Sequence, residues 1–320
     1  MKIVFLGSGA FGLPTLQRLA QEHRVVGVVT QPDRPAGRGG RLTPTPIGEW
    51  AAQHLAEIPL VKPEKINTHE VRDLVRSWEC DAWVVIAFGQ KLGQKLLADR
   101  FAINLHASLL PRWRGAAPIN HAVLAGDTVT GNSVITLAEQ MDAGFVLGQS
   151  RREILADQTA GELHDLLASD GPDLVQQVLG QHASGTLQPC AQDESLVSLA
   201  GKLAKTDGWI DFAQAADRVR CRVNGLSPWP GVTVVHDGTD LKWFRAEPAG
   251  DIAESSEPGT VLDPARGLVA CGGGTAVVLA EVQPAGKKPM SFRDYANGRK
   301  MKPGDRLIGR AVTGTPGGPG

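Results

Sequence analysis

The stretch INLHASLLPRWRGAAP, residues 103–118, sets Asn104 and His106 two residues apart at the end of a short apolar run, FAINL. In an extended strand successive side chains point to opposite faces, so both project from one face near the strand's carboxyl end. A carboxamide N–H there can stabilise negative charge gathering on an oxygen, and an imidazole can carry protons near neutral pH. Each residue alone also has an ordinary reading, a core histidine satisfied by backbone carbonyls and an asparagine closing a turn. A second candidate is GSGAFG, residues 7–12, whose glycines match the turn that holds a dinucleotide pyrophosphate at a helix N-terminus.

The elements that must position these residues follow from the apolar pattern. Up to about residue 186, short apolar runs alternate with amphipathic ones, as in a parallel sheet flanked by helices. KIVFL, RVVGVVT, DAWVVIAF and FAINL are nearly continuous in apolar residues and are expected as strands buried on both faces. Asn67 with Glu70, and Thr159 with Glu162, predict helix N-termini. The fold class is therefore α/β, a Rossmann-like, mostly parallel sheet whose strand ends carry the site. GSGAFG has the strand before it and the helix after it, and Asp33 stands at about the right spacing for a ribose carboxylate. Asp33 lies between prolines in QPDRP, however, and no other feature of the chain suggests hydride chemistry. Close backbone packing explains these glycines without a ligand, so no NAD is expected.

After SGTLQPCAQDESL the pattern changes to one helix, AQAADRVRCRV, and then the β-rich runs GVTVVHD, LKWFRAE, PGTVL, GLVAC and TAVVLAEVQP. Gly, Pro or Asp at short intervals between them predicts a smaller C-terminal β-barrel, OB-like in kind. The expected domains are 1–186 for catalysis, a linker at 187–206, a barrel at 207–312 and a disordered Gly/Pro-rich tail at 313–320.

With 42% hydrophobic and 21% charged residues, the 320-residue chain reads as globular and large enough for two domains. No run approaches the roughly 18 apolar residues of a membrane span, and MKIVFLGSGAFG is too short and glycine-rich for a signal peptide. Cys80, Cys190, Cys221 and Cys271 are widely spaced, which predicts reduced thiols in a cytoplasmic enzyme and no metal site. Net charge is −1, yet residues 287–310 hold eight Lys or Arg against two Asp. That run is either a solvated face or a local patch for an acidic partner.

LHASLLPRWRG resembles the HxSLLP signature of the folate-dependent formyltransferases, and ITLAEQMDAGFVLGQ, residues 135–149, looks like that family's Asp-x-Gly segment. The resemblance implies a catalytic set of Asn104, His106 and Asp142, with 10-formyltetrahydrofolate as formyl donor. Asp-Ala-Gly is also good turn chemistry, which leaves a purely local role for Asp142 open. The resemblance further implies a folate slot bordered by Ser108, Leu109, Leu110 and Pro111, with backbone contacts from Ala87, Phe88 and Gly89. Residues 30–46, TQPDRPAGRGGRLTPTP, resemble the basic insertion of the methionyl-tRNA formyltransferases, while NGLSPWPG and QPAGKKPMS are similar to segments of their C-terminal domain. This implies initiator methionyl-tRNA as partner, contacted by Arg34, Arg38, Arg41, Lys287 and Lys288, and a monomeric enzyme with no membrane association. A formyltransferase acting on a nucleotide-linked amino sugar is the alternative.

Overall fold

Seven strands form the first sheet: β1 (Lys2–Gly7), β2 (Arg24–Val29), β3 (Leu60–Val61), β4 (Ala82–Ile86), β5 (Ala102–His106), β6 (Val129–Thr136) and β7 (Val146–Glu153). Their spatial order is β7–β6–β5–β4–β1–β2–β3. The pairs β1/β2, β1/β4, β2/β3 and β4/β5 are parallel, and β5/β6 is antiparallel. In such a sheet the crevice for ligands opens where the strand order reverses, here at the carboxyl ends of β1 and β4. Ile3 to Leu6 and Ala82 to Ile86 are all buried, which is why these runs carry no polar alternation.

This computed structural model describes residues 1–36, 40–252 and 256–309. Packing divides the chain into two units: Met1–Gly115, Gly131–Arg152 and His164–Leu199 form one, and Ala116–Thr130, Glu153–Leu163 and the residues from Ala200 onward form the other. The tail 313–320 lies outside the described residues.

The GSGAFG segment leaves β1, makes a 3-10 turn over Ala10–Gly12 and enters the helix Leu13–Glu22. A Cβ on Gly7 would come within 2.6 Å of Phe5 Cε1 and 2.8 Å of the Ile86 carbonyl oxygen. The glycine is therefore required for β1 to pass β4 closely. Asp33 accepts from Lys62 Nζ at 2.7 Å, so its carboxylate has a protein partner.

Two local expectations are corrected. The helix His69–Arg76 is capped by Thr68, whose hydroxyl accepts from Val71 N; Asn67 instead bonds Lys91 O and Gly93 N. Both residues are good caps by type, and Asn67's reach to the 91–93 segment decides between them. In the Pro/Gly-rich stretch of residues 30–46, which its Gly and Pro content would make a loop, Arg34–Ala36 pairs antiparallel with Arg41–Thr43 in a small hairpin. Gly40, at φ +60°, supplies the left-handed residue beside the hairpin's second strand. At the other predicted helix start, Thr159 N donates to Glu162 Oε2 at 2.9 Å and Glu162 N to Thr159 Oγ1 at 3.2 Å, the reciprocal capping box.

In the second unit the five predicted runs are all strands: β8 (Val232–His236), β9 (Thr239–Asp251), β10 (Val261–Asp263), β11 (Leu268–Cys271) and β12 (Thr275–Pro284), followed by β13 (Ile308–Gly309). They lie in the order β10–β11–β12–β9–β8–β13 and pair antiparallel. The sheet curls on itself: β13 pairs with β8, while just before it Val261 N donates to Asp305 O and Leu307 N to Gly259 O, each at 2.8 Å. One short segment thus joins both edges of the sheet and leaves few unpaired backbone groups there. Trp243, Leu241, Val234, Val277 and Phe292 fill the interior together with Val219 and Val223 of the helix Ala216–Gly225.

Because the Gly7 contact is with a backbone oxygen as well as a ring, Gly7→Ala should cost about 1–3 kcal/mol in urea unfolding. Unchanged stability would show that the turn has room for something other than packing.

Candidate active site

Strand β5 places Asn104 and His106 on one face, as the alternation predicts. His106 is 6% exposed, and its Nε2 lies 2.9 Å from the Trp113 carbonyl oxygen. A carbonyl only accepts, so Nε2 carries the proton. Nδ1 faces Asp142 Oδ2 at 3.6 Å, slightly beyond a direct hydrogen bond and within reach of a small closing movement. The Asn104 side chain is half-buried, and among the described residues nothing donates to or accepts from it. Its carboxamide is therefore open, among the described residues, to a bound group.

Asp142 reaches this place through an uncommon backbone. Its φ is +56°, in the left-handed region, and its Oδ2 also accepts from Gly115 N at 2.8 Å. Two residues on, a Cβ at Gly144 would lie 1.7 Å from the Thr136 carbonyl oxygen, so only glycine lets the chain return to β7. The turn and the carboxylate's reach to His106 are therefore one feature, and the two readings of Asp-Ala-Gly are compatible. Trp113, whose carbonyl meets His106, has φ +62°, and Ala87 at the end of β4 has φ +47°. Left-handed non-glycine residues cost of order 1–3 kcal/mol and gather at sites where the surroundings hold them.

The segments are held by polar contacts that sequence reasoning missed. Gln192 Nε2 donates to Asp142 O at 2.7 Å and Gly144 O at 2.8 Å. Arg114, 3% exposed, donates to Gln192 Oε1 and to the Glu194 carboxylate. Its hydrogen bonds hold the Glu194 carboxyl below the usual range. Gln192 and Glu194 lie in the stretch expected as a linker, and no local pattern marks them. Ser133, on β6, binds Ser108 O and Leu110 N, while Gln149 of β7 donates to Leu110 O.

The expected folate residues divide by exposure. Ser108 and Leu110 are buried within their turn, where Ser108 Oγ donates to Arg112 O at 2.6 Å, whereas Leu109 and Pro111 are partly exposed. Ala87 and Gly89 are exposed at the end of β4, and the carbonyl of buried Phe88 accepts from Ser8 Oγ and Gln31 Nε2. A groove of about 640 Å³ opens between the segment following β4 and the one leading to Asp142; its lining mixes Leu92, Leu97 and Leu137 with Arg72, Lys91, Lys95 and Glu139, and includes none of the expected catalytic or folate residues. Among the described residues no group of three or more His, Cys, Asp or Glu side chains could hold a metal ion. No described helix is long and apolar enough to cross a membrane.

Of the expected tRNA contacts, Arg34 pairs with Glu64 at 2.6 Å, Arg41 is exposed, and Arg38 lies outside the described residues. Lys287 and Lys288 are exposed in the turn that follows β12.

The Formyl transferase family model matches residues 1–179, and the model of its C-terminal domain matches residues 202–300. The chain belongs to the formyl transferase family. It is 39% identical to the methionyl-tRNA formyltransferase of Geobacter sulfurreducens, over 96% of each chain. It is 42% identical to that of Anaeromyxobacter sp. strain K, over 94% of this chain and 98% of the relative. Among solved structures, an N-formyltransferase from Helicobacter canadensis in complex with folinic acid and dTDP-3-aminofucose superposes with a TM-score of 0.66 at 12% identity, covering 89% of this chain and 99% of that one. HypX from Aquifex aeolicus, in complex with tetrahydrofolic acid, superposes with a TM-score of 0.61 at 17% identity, covering 92% of this chain and 47% of that one. Both likenesses carry the fold.

Proposed function

We propose that this formyl transferase moves the formyl group of 10-formyltetrahydrofolate to the amino group of methionyl-tRNA, giving N-formylmethionyl-tRNA and tetrahydrofolate. The observation that carries the catalytic assignment is the meeting of the Asp142 carboxylate with His106 Nδ1, beside an Asn104 carboxamide left without a protein partner. The amine nitrogen attacks the formyl carbon, negative charge builds on the formyl oxygen, the bond to folate N10 breaks, and the amine proton ends on that nitrogen. Asn104 donates its N–H to the developing oxyanion, a role whose loss typically costs about 100 to 1,000-fold in rate. With Nε2 bonded to Trp113, the imidazole works through its Nδ1 edge, where Asp142 stabilises the charged ring and assists proton removal from the amine.

The folate slot is assigned to Ala87, Phe88 and Gly89 after β4 and to Ser108, Leu109, Leu110 and Pro111 after β5, of which Ala87 and Gly89 are exposed and Leu109 and Pro111 partly exposed. Residues 1–186 serve catalysis and 207–312 hold tRNA. Arg34, Arg38 and Arg41 contact the acceptor end, and Lys287 and Lys288 contact the phosphate backbone, so affinity falls with rising salt. The initiator tRNA is the acceptor, and the enzyme acts as a cytoplasmic monomer.

Formylation of purified methionyl-tRNA, run beside a nucleotide-linked amino sugar, tests the acceptor: only the tRNA should be formylated, and preference for the sugar would reverse the assignment. Asp142→Asn should lower turnover by about two orders of magnitude or more with the melting temperature nearly unchanged. Near-wild-type turnover would return Asp142 to a purely local role. Arg38→Ala with Arg41→Ala should raise KM for tRNA severalfold and leave folate affinity alone; a weakened folate Kd would contradict the assignment of these arginines to tRNA.

A further inference from the structure

Gln192 belongs to no motif, yet its carboxamide uses all four of its hydrogen-bonding positions. Both N–H groups point at carbonyls, Asp142 O at 2.7 Å and Gly144 O at 2.8 Å. Both acceptor positions face Arg114, whose Nε stands 3.0 Å and Nη2 2.8 Å from Oε1. Carbonyls cannot donate and a guanidinium cannot accept, so the amide has only one orientation. Arg114 is itself fixed: it is 3% exposed, it donates to Glu194 at 2.8 and 3.1 Å, and its backbone N donates to Ser198 O at 2.9 Å.

The two segments that Gln192 joins are the two that shape the environment of His106. On one side is the turn from which the Asp142 carboxylate projects. On the other is Trp113–Gly115, which supplies the carbonyl for His106 Nε2 and the N–H that binds Asp142 Oδ2. The Asp142 carbonyl that Gln192 binds belongs to a left-handed residue, a conformation that persists only where its neighbours hold it. Without the two N–H donors, that turn loses its bonds at Asp142 O and Gly144 O and the carboxylate is free to swing from Nδ1.

We propose that Gln192 is a positioning residue for formyl transfer, holding the Asp142 carboxylate at the imidazole while its own orientation is set by Arg114. This rests on the reading of Asp142 as catalytic. Protein groups take every hydrogen-bonding position of the Gln192 carboxamide and leave none for a substrate, so its effect falls on kcat and not on KM. Displacing a reacting group by about 1 Å can cost on the order of 100-fold.

The test is a double-mutant cycle on the full chain, with Gln192→Ala made in the wild-type and the Asp142→Ala backgrounds and kcat and both KM values measured. A positioning role predicts a loss in kcat of about 10 to 100-fold in the wild-type background, less than about twofold in the Asp142→Ala background, and KM values within about twofold. Equal losses in the two backgrounds, or no loss in the wild type, overturn it. A near-normal rate for Asp142→Ala alone would bring down the reading of Asp142 and this inference with it. Gln192→Glu keeps the acceptor for Arg114 and removes the donors to the turn. It should reproduce the kcat loss, and it takes the place of Gln192→Ala in the cycle, under the same criteria, if the alanine variant does not fold. Wild-type kcat in Gln192→Glu would equally overturn the proposal.

Discussion

The arrangement of the candidate site depends on one backbone turn. Asp142 sits at φ +56°, and from that turn its carboxylate folds back toward the end of β5 to face the imidazole of His106. A left-handed residue of this kind costs of order 1–3 kcal/mol. The hydrogen bond from Gly115 N to the carboxylate is of the charged type, worth about 1.5–3 kcal/mol net, so it offsets the strain on the same scale. The turn is thus paid for by contacts that also aim the carboxylate.

The sheet brings the candidate residues to one end of the strands. Five parallel strands in the order β3–β2–β1–β4–β5 leave a crevice at the ends of β1 and β4, and the antiparallel β6 brings its hairpin with β7 back beside β5. His106 pairs in register with Ser133 on β6, and the same serine binds the Ser108–Leu110 turn. One buried hydroxyl therefore locks the loop after the histidine to the strand that leads to the aspartate. The glycines of GSGAFG contribute differently: they allow β1 to approach β4 at the crevice floor, and Asp33, the residue a ribose would need, is engaged by Lys62.

What could be read from the sequence follows a physical divide. Strands buried on both faces must be continuously apolar, and those runs stand out; Asn104 and His106 share a face because strand period is two. Thr159 and Glu162 cap a helix through contacts three residues apart, so their role is local and visible. The choice of Thr68 over Asn67 was not visible, because it turns on Asn67's bonds to residues 91 and 93. Gln192 and Glu194 were hidden for the same reason: their partners lie about 50 and 80 residues away along the chain. Asp142 came from the family resemblance, since spacing alone does not distinguish a turn aspartate from a catalytic one.

A crystal structure of the enzyme with a non-transferring analogue of the formyl donor addresses the convergence of the three side chains most directly. The carbonyl oxygen of the one-carbon unit should lie about 3 Å from Asn104 Nδ2, with the Nδ1 edge of His106 and the Asp142 carboxylate bordering the open side from which an amine would approach. A one-carbon unit bound more than about 6 Å from Asn104, or with Asp142 turned away from the imidazole, would contradict the assignment.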